Sequence, residues 1–259
     1  MSVTSSGQTF VSQTAARKSI LGRALTVLAD TEPYVVDETS AVEVELIDPL
    51  QWITSCDDHA LAEGTNLAML GGELIQFGTA LSLGNGRFRL SYLLRGRAGT
   101  EWATGSHAAG ELFCLIDSNS LQPLAIPAWM RGSAVTVSDR NGATALVTFA
   151  AESVKPFAPA NLASELSPSG DLLLSWTRRS RSGLAWLNEI DAPIGEGREL
   201  YSITISTADA TLELTSQEPA TVVSAPQLAS IGTGAATVEV RQVGDWAASH
   251  PSRLIIDLS

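Results

Sequence analysis

The chain has 259 residues, 44 % of them hydrophobic, with 28 acidic against 16 basic side chains and a formal charge of −12 at pH 7. That apolar share is enough to pack one large domain or two of ordinary size, and the negative balance repels a phosphate backbone, which argues against nucleic acid as a direct partner. Cys56 and Cys114 stand alone without CxxC spacing, so neither a metal site nor a disulfide scaffold is implied, and two buried thiols are expected in preference to the alternative, a single disulfide.

In chain order, residues 1–20 are small, polar and Ser/Thr-rich; they read as an N-terminal arm that becomes ordered only when docked. They lack the charged-then-apolar order of a secretory signal, and no later stretch approaches the roughly 20 apolar residues of a membrane span. The expectation is a soluble chain made in the cytoplasm, with no stable membrane insertion. "AARKSILGRALTVLAD" scores as an amphipathic helix, but Gly22 interrupts it and β-branched residues follow, which favours a strand starting near Ala24.

Short alternating or β-branched runs then recur, among them "YVVDE", "AVEVELI", "RFRLSYLL", "LFCLID", "AVTVSD", "ALVTFAA", "DLLLSW", "YSITIS", "TLELTS", "ATVEVRQV" and "RLIIDLS". This is the signature of an all-β protein of sandwiches or barrels. Helix is the minor component, and the short helical turns expected first lie near 58–65 and 225–231. Asn85-Gly86 supplies the positive-φ pair of a tight hairpin, Asn141-Gly142 repeats the device, and Pro168 with Gly170 marks a turn before a core strand. No repeat of 20 to 50 residues is visible.

"VKPFAPANL", residues 154–162, places two prolines between strand patterns and reads as a short stiff linker. It separates a β-rich domain, 21–153, from a second, 163–259, with Trp176 inside a strand. About six or seven strands in about 100 residues fit a fibronectin type III or immunoglobulin-like sandwich.

Three places invite a chemical reading. Arg95, Arg97, Glu101, Trp102 and His107 crowd one segment, where a glutamate acid or base, anion-holding arginines and a histidine relay are conceivable. Gly96, Gly99, Gly105 and Gly110 interleave with them, and arginines beside such turns usually hold carbonyls or a carboxylate such as Glu101. Arg95, Gly96, Arg97, Gly99, Glu101 and His107 are therefore read as a structural turn. "SCDDHALAEG" collects Cys, two Asp and His, but neighbouring residues on an extended chain diverge, and Asp57 or Asp58 serves better as a helix cap than as a metal ligand. The long connection after "LLLSWTRR" holds Arg178, Arg179, Arg181 and Trp186, types enriched at energetic contacts; the competing reading pairs the arginines with Glu189, Asp191 or Glu196. No GxSxG or HExxH motif occurs, so no catalytic, cofactor or metal residues are assigned.

The segments "AVEVELI", "LAEGTNLAMLGGELIQFG", "GNGRFRLSYLLRGRAGTEWATGSHAAGELFCLID", "GDLLLSWTRRSR" and "IDAPIGEGRELYSITI" together resemble the C-terminal region of the tail-tip, host-specificity or "megatron"-like proteins of gene transfer agents and long-tailed phages. The most specific pattern is LLRGRxGTExxxxxHxxGE; a Trp-Thr-Arg-Arg strand followed by a Pro-x-Gly-Glu turn is the second. The resemblance extends from about Leu21 to the C-terminus. It implies a structural virion component at the distal tail tip or baseplate, not an enzyme and without a cofactor. It also implies assembly as a homotrimer with other tail-tip and hub proteins, and contact with a host-surface glycan or protein. Such proteins are longer, which leaves a separate gene product and a fragment as alternatives. Two other readings stand beside it: a free carbohydrate-binding module, with Trp102, Trp129 or Trp186 stacking on sugars, and a polysaccharide-degrading enzyme.

Overall fold

The structure, a computed structural model, describes residues 2–5, 8–12, 18–117, 121, 127–130, 132–150, 152–181 and 193–258. It is all-β, with strands β1 Ser2–Ser5, β2 Gln8–Ser12, β3 Ile20–Ala24, β4 Asp37–Leu46, β5 Leu67–Leu70, β6 Glu73–Gly84, β7 Arg87–Leu94, β8 Leu112–Leu115, β9 Ala134–Ser138 and β10 Thr144–Thr148 in its first part. The second part holds β11 Ala160–Leu166, β12 Leu172–Thr177, β13 Tyr201–Ser206, β14 Thr211–Ser216, β15 Ala220–Val223, β16 Gly234–Gln242 and β17 Ser252–Leu258. Two one-turn helices, α1 Asp58–Ala62 and α2 Ala225–Ala229, lie where helical turns are expected. The chain divides into two units between residues 151 and 152.

In the first unit, six strands close into a barrel in the order β3-β4-β7-β6-β5-β8. Alternate residues of each strand face inward, so Val42 and Val44, Ala68 and Leu70, Ile75 and Phe77, Phe88 and Leu90, and Phe113 form one core. Closure depends on Gly22. A Cβ there would stand 2.6 Å from the Glu45 carbonyl oxygen, so glycine lets β3 approach β4 while its other edge takes β8. The strand expected to start near Ala24 in fact ends there. Asn85 and Gly86, at φ 52° and 74°, join β6 to β7. The Asn141-Gly142 turn works differently: only Gly142 has positive φ, and the Asp139 carboxylate accepts from the Asn141 and Ala143 N–H groups.

A four-stranded sheet, β10-β9-β1-β2, completes this unit. Residues 2–5 and 8–12 of the stretch read as an N-terminal arm belong to it. Ser2–Ser5 and Gln8–Ser12 form a hairpin whose first strand pairs with β9. Val3 is buried with Val135 and Met130, so the alternation hidden in a Ser/Thr-rich stretch is enough to build a strand.

The second unit is a sandwich of a three-stranded sheet, β11-β12-β15, and a four-stranded sheet, β14-β13-β16-β17. This is the seven-strand arrangement of a fibronectin type III-like domain. Leu172, Leu174 and Trp176 from one sheet meet Tyr201, Ile203, Ile205, Val238 and Val240 from the other. The Trp176 and Tyr201 rings meet edge to face, 5.0 Å between centroids. Gly170, at φ 85°, makes the turn before β12.

Candidate functional site

The segment that follows β7 turns inward at Arg95. Its guanidinium is wholly buried, with a side chain 0 % exposed. Burying a charge is costly unless it is paired, and every arm of the fork has a partner. Nε and Nη2 donate to the Glu73 carboxylate at 2.9 Å each. Nη1 donates to the Ala29 carbonyl at 2.8 Å and to Asp37 at 3.4 Å, and Nη2 also reaches the Thr104 carbonyl at 3.3 Å.

Glu73 opens β6, directly after the turn that ends β5. Besides Arg95, it accepts the Gly96 N–H at 2.6 Å and lies 2.6 Å from His107 Nε2. The other ring nitrogen of His107 lies 2.7 Å from Glu111. An imidazole flanked by two carboxylates must donate from both nitrogens, which is the charged form. Burial alone would lower the His107 pKa, but the bonds to Glu73 and Glu111 and the charges of both outweigh it and raise the value. For Glu73, burial would raise the pKa, and the bonds from His107, Arg95 and Gly96 bring it below its ordinary value. Asp37 is likewise lowered: burial opposes, and hydrogen bonds from Ser40 and Thr39 prevail.

Gly96 is fixed by geometry. At φ 59°, a Cβ would stand 2.8 Å from Glu101 Cγ and 2.9 Å from Glu101 Cα. Gly99 also has positive φ, at 87°, and Glu101 begins the short turn Glu101–Ala103. Arg97 Nε donates to Gln76 Oε1 at 2.8 Å, and Gln76 Nε2 donates to the Leu61 carbonyl at 2.7 Å. Thr100 Oγ1 accepts the Leu74 N–H at 2.9 Å. The predicted turn residues thus lie in one loop, but the carboxylates that hold Arg95 come from β4 and β6, outside that loop.

This arrangement clamps strands together. A histidine acting as a general base must present a neutral nitrogen to a substrate, whereas the His107 side chain is 1 % exposed and has a carboxylate at each nitrogen. Sequence reasoning misses Glu73 and Asp37, and it leaves Glu111, the last residue of the LLRGRxGTExxxxxHxxGE pattern, without a role. The one local signal is the four-residue spacing of His107 and Glu111; a lone acid at the start of "ELIQF" reads as an exposed strand end.

In the sandwich, Arg178 Nη1 donates to Glu199 at 2.8 Å, and Glu199 also accepts from Tyr201 Oη at 2.8 Å. Burial first, then the Glu199 bond and charge, push the Tyr201 pKa up. Arg181 Nε donates to Glu196 at 2.9 Å, and Arg179 lies 5.0 Å from the centroid of the Phe157 ring. Trp186, Glu189 and Asp191 lie outside the described residues.

Asp57 caps α1, accepting the Ala60 N–H at 2.9 Å. Among the described residues no group of three or more His, Cys, Asp or Glu side chains is placed to hold a metal ion. Cys56 and Cys114 are free and half-buried. Among the described residues no helix is long and apolar enough to cross a membrane.

Residues 19–114 match the family described as Rcc01698-like, C-terminal. The matched span coincides with the barrel, β3 through β8, and contains the whole ion network. It is in keeping with a gene transfer agent-associated family. The second resembling segment, around "WTRRSR", lies beyond it. No curated protein matches the chain. Similar solved structures include domains d3–d4 of the rat CD45 extracellular region, at 9 % identity, covering 56 % of this chain and 74 % of that one with a TM-score of 0.31. A cytokine receptor complex gives 17 % identity, coverage of 84 % and 91 %, and a TM-score of 0.29. A two-domain fibronectin type III segment of chicken tenascin gives 12 % identity, coverage of 90 % and 99 %, and a TM-score of 0.30. The sandwich assignment rests on strand order.

Proposed function

We propose that this chain is a structural component of the distal tail of a phage or gene transfer agent, working at the tail tip or baseplate in host-surface recognition or closure of the tail tube. In this reading it is made in the host cytoplasm, joins hub and other tip proteins, and meets a host glycan or protein.

One observation supports this reading above the others. The residues of the tail-protein-like motif, Arg95, Gly96, His107 and Glu111, are those that build the buried clamp of a barrel coextensive with the family match at 19–114. A motif whose residues build a buried clamp suits a particle component better than a reaction centre. Loops at the ends of a sandwich and barrel are the usual places for recognition.

Immunogold labelling of purified particles with an antibody to this chain tests the proposal. Gold at the tail tip is expected; particles labelled elsewhere, or not at all, would overturn it. A glycan-binding role gains from Trp129 and Trp102, which are 70 % and 45 % exposed. Glycan-array binding that is lost on Trp129→Ala or Trp102→Ala, with folding intact, would support that role.

A further inference from the structure

The chain contains the same dipeptide twice, Asn85-Gly86 and Asn141-Gly142, and folds the two copies into different backbone. Asparagine before glycine is subject to attack from its own main chain. The glycine nitrogen, its proton lost to solvent base, adds to the carbon of the side-chain amide. A new C–N bond closes a five-membered succinimide, the bond from Cγ to Nδ2 breaks, and ammonia leaves with a proton from water. Water then opens either C–N bond of the ring, which leaves aspartate or isoaspartate.

The ring closes only when the glycine nitrogen swings about the Cα–C bond to the side of the asparagine Cβ. At Asn85 the backbone opposes this. Its φ is 52°, and left-handed backbone has a ψ of about 47°, which puts the next nitrogen on the side away from Cβ. Rotating ψ at positive φ carries the residue into territory that glycine alone occupies. The turn also holds φ where it is. Gly84 pairs with Arg87 across it, the Gly86 carbonyl accepts the Leu46 N–H at 2.9 Å, and a Cβ at Gly86 would stand 2.8 Å from Pro49 Cα.

Asn141 has negative φ. Asp139 to Gly142 form a turn with aspartate first and glycine fourth, the preference of type I, whose third residue has a ψ of about 0°. From there the nitrogen approaches Cβ through ordinary right-handed backbone. The Asp139 carboxylate holds the N–H groups on either side, those of Asn141 and Ala143, at 2.8 Å each. The Gly142 N–H between them has only a long bond, 3.4 Å, to the Asp139 carbonyl. A Cβ at Gly142 would meet nothing within 4 Å among the described residues. The turn lies at the closed end of the β9–β10 hairpin, with Asn141 and Gly142 exposed to base and water.

We propose that Asn141 is a site of spontaneous deamidation in the folded chain and that Asn85 keeps its amide. Aspartate at 141 adds a negative charge beside Asp139, and isoaspartate adds a methylene to the main chain at the tip of the hairpin. The reaction needs only base and water, so it is independent of any place in a particle.

The test incubates the full chain in warm, mildly alkaline buffer made with heavy-oxygen water, followed by digestion at mildly acidic pH and mass spectrometry of the peptides. Label is expected to enter residue 141 as a mixture of aspartate and isoaspartate, faster as pH rises. Residue 85 should be slower by about tenfold or more, the rate equivalent of about 1.4 kcal/mol of barrier. In the urea-unfolded chain the two sites should react at similar rates, which assigns the difference to the fold. Asn141→Gln should abolish the label at 141, because its ring would have six members and close slowly. Loss at Asn85 as fast as at Asn141 in the folded chain, an Asn141 amide that persists there, or a difference of the same size in the unfolded chain would each overturn the proposal.

Discussion

Arg95 and Glu73 form a bidentate pair, with Nε and Nη2 each 2.9 Å from a carboxylate oxygen and both side chains 0 % exposed. The pair joins the end of β7 to the start of β6, and Glu73 passes the linkage on to His107 and Glu111. A lysine keeps the charge but not the fork. Arg95→Lys is expected to lower stability by about 1.5–3 kcal/mol, the worth of a charged hydrogen bond, measured by urea unfolding near neutral pH.

The network sets opposite pH limits. For His107, whose folded pKa lies above 6.5, the stabilisation is full below the unfolded value and is lost as pH rises through the folded one. For Glu73, whose folded pKa lies below 4.5, it is full above the unfolded value and is lost as pH falls through the folded one. The urea midpoint should therefore be flat between the two unfolded values and fall on both sides. His107→Gln should lower the plateau and flatten the limb above pH 6.5.

Gly96 combines positive φ with a crowded Cβ position, whereas Gly64 has positive φ and nothing within 4 Å of a Cβ. Gly96→Ala is expected to cost more than the roughly 1–2 kcal/mol of the backbone conformation alone. Gly64→Ala should show only the backbone cost. Thermal unfolding of the two variants makes the comparison.

Tyr201 lies at the centre of the sandwich, and its hydroxyl donates to Glu199, which also takes Arg178. Tyr201→Phe removes a hydrogen bond to a charged acceptor and leaves the ring packing on Trp176. A loss of about 1.5 kcal/mol is expected, read in the unfolding transition of the sandwich.

Local chemistry is legible in the sequence, and long-range pairing is not. Asn85-Gly86, Gly170 and the cap at Asp57 follow from what each residue allows its own backbone, and the alternation of "DLLLSW" places Trp176 in a core. The partner of Arg95 is not legible, because Glu73 is 22 residues upstream and only the β6–β7 pairing brings it near. Closure of β3 on β8 and pairing of β1 with β9 also join distant segments whose fit no local pattern records. Gly22 reads in the sequence as a helix breaker; its role in letting β3 approach β4 emerges only in the closed barrel.

If the Arg95–Glu73 pair is an architectural clamp, a double-mutant cycle of Arg95→Met and Glu73→Gln in urea unfolding reads its coupling. Removing one partner of a buried pair typically costs about 3–5 kcal/mol. Each single variant should lose stability on that scale, and the double variant should lose well under the sum, giving a coupling above about 1 kcal/mol. Single variants within about 0.5 kcal/mol of the parent, as at ordinary surface positions, would contradict the clamp.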